Sequence, residues 1–158
     1  MTRIGVISDT HDLLRPEAIA ALKGVRHILH TGDICSGGIL TELGKIAPVT
    51  AVRGNNDKGP WAKRIPETDV FTLAGHSIYL IHDLKELALD PKVAGFAVVI
   101  AGHSHKPKIE SRDGVLFLNP GSAGPRRFRL PVTLATLDVS RAAIHAEIHE
   151  LLPTPSAR

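Results

Sequence analysis

The sequence predicts an α/β fold whose second half is built mostly from strands. Two patterns in the 158 residues carry that reading: short β-branched runs alternate with helix-patterned segments over the first third, and closely spaced pairs of strand-like runs joined by turn residues fill much of the rest. A third observation bears on function, because polar and ionisable residues gather immediately after the apolar runs.

The length suits one domain, set at residues 1–152, with Pro153–Arg158 read as a frayed tail. Arg3 to Ser8 is a short apolar run, and Pro16 to Leu22 is a helical segment that stops at Gly24. His27 to His30 reads as a second strand, Gly38 to Ile46 as a second helix and Val49 to Arg53 as a third strand after Pro48. Strands separated by helical crossovers imply a parallel sheet. Further on, Val70–Leu73 and Ser77–Ile81 flank Ala74-Gly75-His76 as a hairpin. Glu86–Val93 is expected to be helical, and the β-branched run Ala97–Ala101 reads as a strand buried on both faces. Two more hairpins are expected: Lys108–Ser111 with Val115–Leu118, and Val132–Asp138 with Ala142–His149.

Composition excludes several classes. With 43% hydrophobic and 22% charged residues the chain is neither disordered nor fibrous. The single cysteine, Cys35, rules out an internal disulfide and a thiolate zinc cage. No export-signal pattern and no apolar run of about 20 residues is present, so the expected compartment is the cytoplasm and no membrane partner is expected. The net charge of +3 fits an anionic substrate, but its densest part is only Arg126-Arg127-Phe128-Arg129, and a nucleic-acid partner is not expected from it. Oligomeric state is left open, a homo-oligomer among the options. The nine histidines are the unusual feature.

Their placement carries the chemistry. Ile4–Ser8 leads into Asp9-Thr10-His11, where an i, i+2 pair in extended chain points two side chains the same way. His27–Thr31 leads into Gly32-Asp33, and Val49–Arg53 into Gly54-Asn55-Asn56-Asp57. Ser77–Ile81 ends at His82, and Ala97–Ala101 leads into Gly102-His103-Ser104-His105. Ligands of open α/β sheets collect at the carboxyl ends of strands, so these groups would converge if the strands are neighbours in one sheet. A glycine before Asp33, Asn55 and His103 is expected to let the backbone turn sharply.

Each motif alone is weak, since Asp-x-His and His-x-His recur by chance and a lone strand histidine is usually structural. In this order, from Ile4 to about Gly124, the five resemble the calcineurin-like metallophosphoesterase superfamily. In length and in Asn119-Pro120-Gly121-Ser122 the chain is similar to its small bacterial and archaeal phosphodiesterases. The resemblance implies a four-layer α/β sandwich, two packed mixed β-sheets flanked by helices. It implies two divalent metal ions per chain: one on Asp9, His11 and His105, the other on Asn55, His82 and His103, with Asp33 bridging. An N/O donor set suits manganese first, with zinc, iron, nickel or cobalt also compatible. The implied activity is hydrolysis of a small phosphate ester, most directly a phosphodiester, by in-line attack of a hydroxide bridging the metals.

Asp33, Asn55 and Asn56 are the positions expected to carry catalysis, but Asn56 departs from the pattern. Many members of the superfamily place a histidine there, thought to protonate the leaving oxygen, and an amide cannot do so. Two alternatives stand beside catalysis by such a centre: a non-catalytic protein-interaction scaffold, as in the retromer subunit of this fold, and a nucleic-acid phosphodiesterase. Bland readings apply elsewhere. His27, His76, His145 and His149 are expected to be structural or solvent-facing, whereas His30 is either structural or an orienting partner of Asp33. Cys35 reads as a small buried residue, and Asp57 as a helix N-cap in preference to a partner of the ligands. Arg126, Arg127 and Arg129 form either a solvated turn or a phosphate contact, and Asn119–Ser122 either an anion nest or a tight turn.

Overall fold

The computed structural model describes residues 1–153. The frayed tail expected from Pro153 onward lies almost wholly outside the described residues. The chain runs β1 (Thr2–Ile7), α1 (Pro16–Ala21), β2 (His27–His30), α2 (Gly37–Gly44), β3 (Val49–Ala51), α3 (Pro60–Lys63), β4 (Thr68–Leu73), β5 (His76–Ile81), β6 (Val98–Ile100), β7 (Lys108–Arg112), β8 (Val115–Asn119), β9 (Val132–Val139) and β10 (Ile144–Leu152). A single 3₁₀ turn, Leu84–Glu86, follows β5.

The strands form two mixed sheets of five, ordered β10-β9-β1-β2-β3 and β4-β5-β6-β8-β7. In the first, β1, β2 and β3 are parallel, as the helical crossovers require, and the β9–β10 hairpin is added antiparallel at the β1 edge. In the second, β5, β6 and β8 are parallel, with β4 and β7 antiparallel on the two edges. The three expected hairpins are present. Two of them turn through a residue pair with both φ positive, Ala74-Gly75 and Asp113-Gly114, which matches the right-handed twist of the flanking strands.

Period-two alternation sends each strand's side chains to two different cores. Ile4 and Val6 of β1 meet Ile78, Leu80, Val98, Ile100 and Leu137 between the sheets, whereas Ile7 faces outward onto Leu22, Ile39 and Leu43 beneath α1 and α2. The outer face of the second sheet, Tyr79, Ile81, Val99, Ala101 and Val115, is covered by Leu84, Leu87 and Phe96, with Phe96 stacked on Tyr79 at 4.9 Å. The helix expected over Glu86–Val93 does not form. Pro91 lacks an N–H and disfavours helical backbone at Asp90, so the segment closes in turns, with Asp90 Oδ1 accepting from the Lys92 N–H at 3.0 Å. No described helix is long and apolar enough to cross a membrane.

Ile100 lies at the centre of the inter-sheet core with no exposed surface. Ile100→Ala is expected to cost about 2–5 kcal/mol in chemical denaturation. A loss below about 1 kcal/mol would contradict the packing described.

Candidate metal centre

Five parallel strands deliver the side chains singled out in the sequence, but from two sheets instead of one. β1 leads to Asp9 and His11, β2 to Asp33 and β3 to Asn55 and Asn56, while β5 leads to His82 and β6 to His103 and His105. Donor atoms of Asp9, His11 and His105 all lie within 4.8 Å of one another, and so do those of Asp33, His82 and His103. Asn55 joins the second group, its Oδ1 lying 3.1 Å from His82 Nε2. Asp33 stands between the groups, with Oδ2 3.6 Å from His11 Nε2 and 3.3 Å from His82 Nε2.

The backbone here is held in a costly state. Asp9 (φ 53°), His11 (44°), Asp33 (54°), His103 (69°) and His105 (62°) all occupy the left-handed region. Each such residue costs of order 1 kcal/mol, and Asp and His tolerate it better than most side chains. Interloop hydrogen bonds hold it there: Asp9 N–H to the Gly32 carbonyl (3.0 Å), His11 N–H to Asp33 (2.9 Å) and Gly102 N–H to His82 (2.9 Å). The glycines serve more by what they lack than by turning. Of Gly32, Gly54 and Gly102 only Gly32 has positive φ, and a Cβ on Gly54 or Gly102 would collide with the carboxylate of Asp33 or Asp9 respectively.

Donor atoms are aimed by their other contacts. Asp9 Oδ2 accepts from Ser8 Oγ (2.7 Å) and from the His103 N–H (3.0 Å), which leaves Oδ1 facing His105 Nε2 at 3.4 Å. His82 Nδ1 donates to the Thr31 carbonyl at 2.7 Å, which turns Nε2 toward Asp33 and Asn55. Asn56 donates twice to Asp33, from its N–H to Oδ1 and from Nδ2 to Oδ2, both at 3.0 Å. Asp9 Oδ1 and His11 Nε2 are buried and have no hydrogen-bond partner. Orphaned lone pairs converging with carboxylates suit a divalent cation, so the residues present fit the metals that the family pattern implies.

The charges agree. Burial alone would lower the His82 pKa, but Asp33 and Asp9 raise it to about 9. Burial opposes ionisation of Asp33 and Asp9 too, yet His82 and Asn56 around the first, and His105, His82 and Ser8 around the second, hold both below the usual carboxylate range. An uncompensated anionic field that raises one imidazole is the field that attracts a cation. Cys35, half-buried with Sγ 3.7 Å from His11 Nδ1, is pushed up to about 11 by burial and by Asp57 and Asp33, so it stays a thiol.

Several residues acquire roles the sequence left open. Asp57 is not a helix N-cap, since Gly59 precedes α3. Asp57 is buried, and its two oxygens accept from the Cys35 and Gly54 N–H groups at 2.7 and 2.8 Å, tying the loop of Asp33 to the loop of Asn55. His30, fully buried, accepts the Gly32 N–H on Nδ1 (3.1 Å) and so donates from Nε2 to Thr10 Oγ1 (3.1 Å), joining the loops after β1 and β2. Asn119 donates to the Gly102 carbonyl (3.1 Å) and Ser104 Oγ (3.0 Å) and accepts from the Gly121 N–H (2.9 Å). Pro120 has no N–H and the Gly121 N–H is spent on Asn119, so Asn119–Ser122 is a tight turn and no anion nest. Arg126 is consumed by the Leu130 and Pro153 carbonyls, whereas Arg127 and Arg129 remain exposed. His27, His76 and His149 bond Thr50, Ser140 and Thr136 away from the site.

Burial lowers the His30 pKa to about 4, against an ordinary 6.5. The folded pKa is depressed, so this contribution to stability is complete above about 6.5 and is lost as pH falls toward about 4. His30→Leu is expected to be destabilising at pH 7, and its penalty relative to wild type is expected to shrink by roughly 1–3 kcal/mol between pH 7 and pH 4. Denaturation curves for both proteins across that range check it, and a penalty independent of pH would contradict a neutral buried imidazole.

Residues 2–142 match the family model of the calcineurin-like phosphoesterase superfamily domain. The chain is 37% identical over 157 residues to a probable metallophosphoesterase of Methanothermobacter thermautotrophicus, covering 92% of this chain and 90% of that one. Among solved structures, a novel archaeal phosphodiesterase superposes with a TM-score of 0.76 at 26% identity, covering 94% of this chain and 100% of that one. Wild-type Vps29 of Entamoeba histolytica, complexed with Zn²⁺, superposes with a TM-score of 0.74 at 23% identity, covering 95% and 99%, a likeness of fold alone. The family match spans every strand except β10 and every strand end that carries a candidate ligand, and the chain belongs to the calcineurin-like phosphoesterase superfamily.

Proposed function

We propose that residues 1–152 form a dinuclear metal-dependent phosphodiesterase. The observation that carries the reading is Asp33 Oδ2, within 3.6 Å of an imidazole from each of the two donor groups, beside the orphaned Asp9 Oδ1 and His11 Nε2. Asp9, His11 and His105 would hold one cation, Asn55, His82 and His103 the other, and Asp33 both. When bound, such a pair supplies Lewis acidity toward the phosphoryl oxygens and a nucleophile from water at neutral pH. Manganese is the first choice for these N and O donors, with zinc, iron, nickel or cobalt as alternatives, and the Cys35 thiol does not compete as a thiolate. The lone free cysteine suits a reducing cytoplasm.

The protein's own groups prepare the site. Thr31 fixes the His82 tautomer, Ser8 and the His103 N–H hold Asp9, and Asn56 fixes both oxygens of Asp33. Asn56 is therefore a positioning residue, its amide committed to Asp33 and without a proton to give. Loss of positioned acid catalysis costs about 10²–10⁴-fold, most for poor leaving groups, so aryl diesters should be better substrates than alkyl monoesters.

A screen of bis(p-nitrophenyl) phosphate against chelated protein reloaded with each metal tests the function. Turnover with at least one metal is expected, and Asp33→Asn should lower kcat/KM by more than about 10²-fold. No turnover with any metal would leave the scaffold reading, and near-wild-type turnover of Asp33→Asn would remove the bridging role. In a plot of log(kcat/KM) against leaving-group pKa, wild type should fall steeply. Asn56→His should flatten the slope, with a gain of up to about 10²-fold on alkyl substrates. Parallel lines would mean that position 56 does not face the leaving oxygen.

A further inference from the structure

Two hollows open beside the second donor group, and their charges differ. One, of about 390 Å³, lies between β3 and β5 and is lined by His82, His103, Arg53, Glu67, Asp83 and Glu86. Arg53 is spent on Glu67 at 2.9 Å, and outside the donor imidazoles one cation against three carboxylates leaves this rim net acidic. The other, of about 570 Å³, begins at His103 and Asp83 and runs across the outer face of the second sheet. Its apolar lining includes Val99, Ala101, Phe117 and Leu118, and its ionic lining is Lys85, Lys106, Lys108, Arg112 and Arg127 against Asp83 and Glu110, a net of 5 − 2 = +3.

The cations of the larger hollow divide by partner. Lys108 and Arg112 both pair with Glu110, at 3.0 and 2.9 Å, and the Arg112 guanidinium lies over the Phe117 ring at 4.8 Å. Asp83 lies 3.7 Å from His103 Nε2 and accepts the backbone N–H of Lys85. Lys85, Lys106 and Arg127 make no ion pair among the described residues, so their charge faces the hollow uncompensated. Phe128 stands on the same rim, 87% exposed. An apolar floor with one aromatic ring in it, a second ring at its edge and unspent cations around it is complementary to a flat ring that carries a negative charge.

We propose that this hollow is a specificity subsite, resting on the phosphoesterase reading, that accepts one arm of the phosphodiester and selects an aryl or heteroaryl arm bearing its own anionic group. The acidic hollow across His103 takes the other arm and disfavours a charged one there. Binding would thus be polar in direction, with the reacting phosphate at the metal donors and the anionic arm running toward Phe117 and Lys106.

Three p-nitrophenyl esters with a common leaving group test this on the metal-loaded protein: the ethyl, benzyl and 4-carboxybenzyl phosphodiesters. The expected order of kcat/KM is 4-carboxybenzyl over benzyl over ethyl, with steps of about fivefold to tenfold, carried mainly by KM. Lys106→Ala with Arg127→Ala should collapse the first step and Phe117→Ala the second, whereas Lys23→Ala, remote from both hollows, should keep both. Added salt should shrink the first step selectively. A second readout needs no catalysis: naphthalene-2-sulfonate titrated onto chelated protein should shift the amide resonances around Lys106, Phe117 and Phe128. Those shifts without hydrolysis of any ester would sink the phosphoesterase reading, and the subsite with it, and leave the hollow only an aryl-anion binding site. Equal kcat/KM for the three esters, or amide shifts confined to the loops of His11 and Asn55, would overturn the subsite.

Discussion

Two buried carboxylates, Asp9 and Asp33, govern the rest of this structure. A charged carboxylate in a protein interior is tolerated only when hydrogen bonds and opposite charge replace the water it has lost. Asp9 receives one oxygen's worth of such replacement from Ser8 and the His103 N–H, and Asp33 receives Asn56 twice. Asp9 Oδ1, left without a hydrogen bond, and Asp33 Oδ2, which also accepts from Asn56, turn toward the imidazoles of His11, His82 and His105. The features around the site follow from supplying these contacts. Gly54 and Gly102 stand where a side chain would displace a carboxylate, and Asp57 and His30 tie the loops that carry the ligands.

That arrangement opposes stability. Five candidate ligand residues in left-handed backbone, and buried polar atoms without partners, are each unfavourable by of order 1–3 kcal/mol. The two sheets offset this with an inter-sheet core that receives residues from both and with a helix-covered face on the first sheet. The cost is concentrated where strands of two sheets end side by side, so one strained region serves both donor groups.

Much of this was legible in the sequence because it is local. Period-two alternation and the Ala74-Gly75 and Asp113-Gly114 turns mark the strands and hairpins, and Asp9, His11, Asp33, Asn55, His82, His103 and His105 all follow apolar runs. What was not legible depends on contacts between loops far apart in the chain. Asp57 has the signature of a cap, and only the fold reveals that its two oxygens reach Cys35 and Gly54. Asn56 could be seen to lack a proton to donate, but not to clamp Asp33. The division of the strands into two sheets, with β5 and β6 placed against β1 to β3, is set by inter-sheet packing that no local pattern encodes. The helix expected after His82 shows the converse, where the broad pattern outweighed a single Pro91.

On the proposed reading, two carboxylates and their imidazoles form one site for two cations, joined through Asp33. Calorimetric titration of chelated protein with Mn²⁺ tests it most directly. A shared two-cation site predicts two ions per chain, with protons released as His82, raised to about 9 by Asp33 and Asp9, gives up its proton to bind. It also predicts that Asp33→Asn weakens both binding events together. One ion per chain, or two events of which Asp33→Asn disturbs only one, would contradict it.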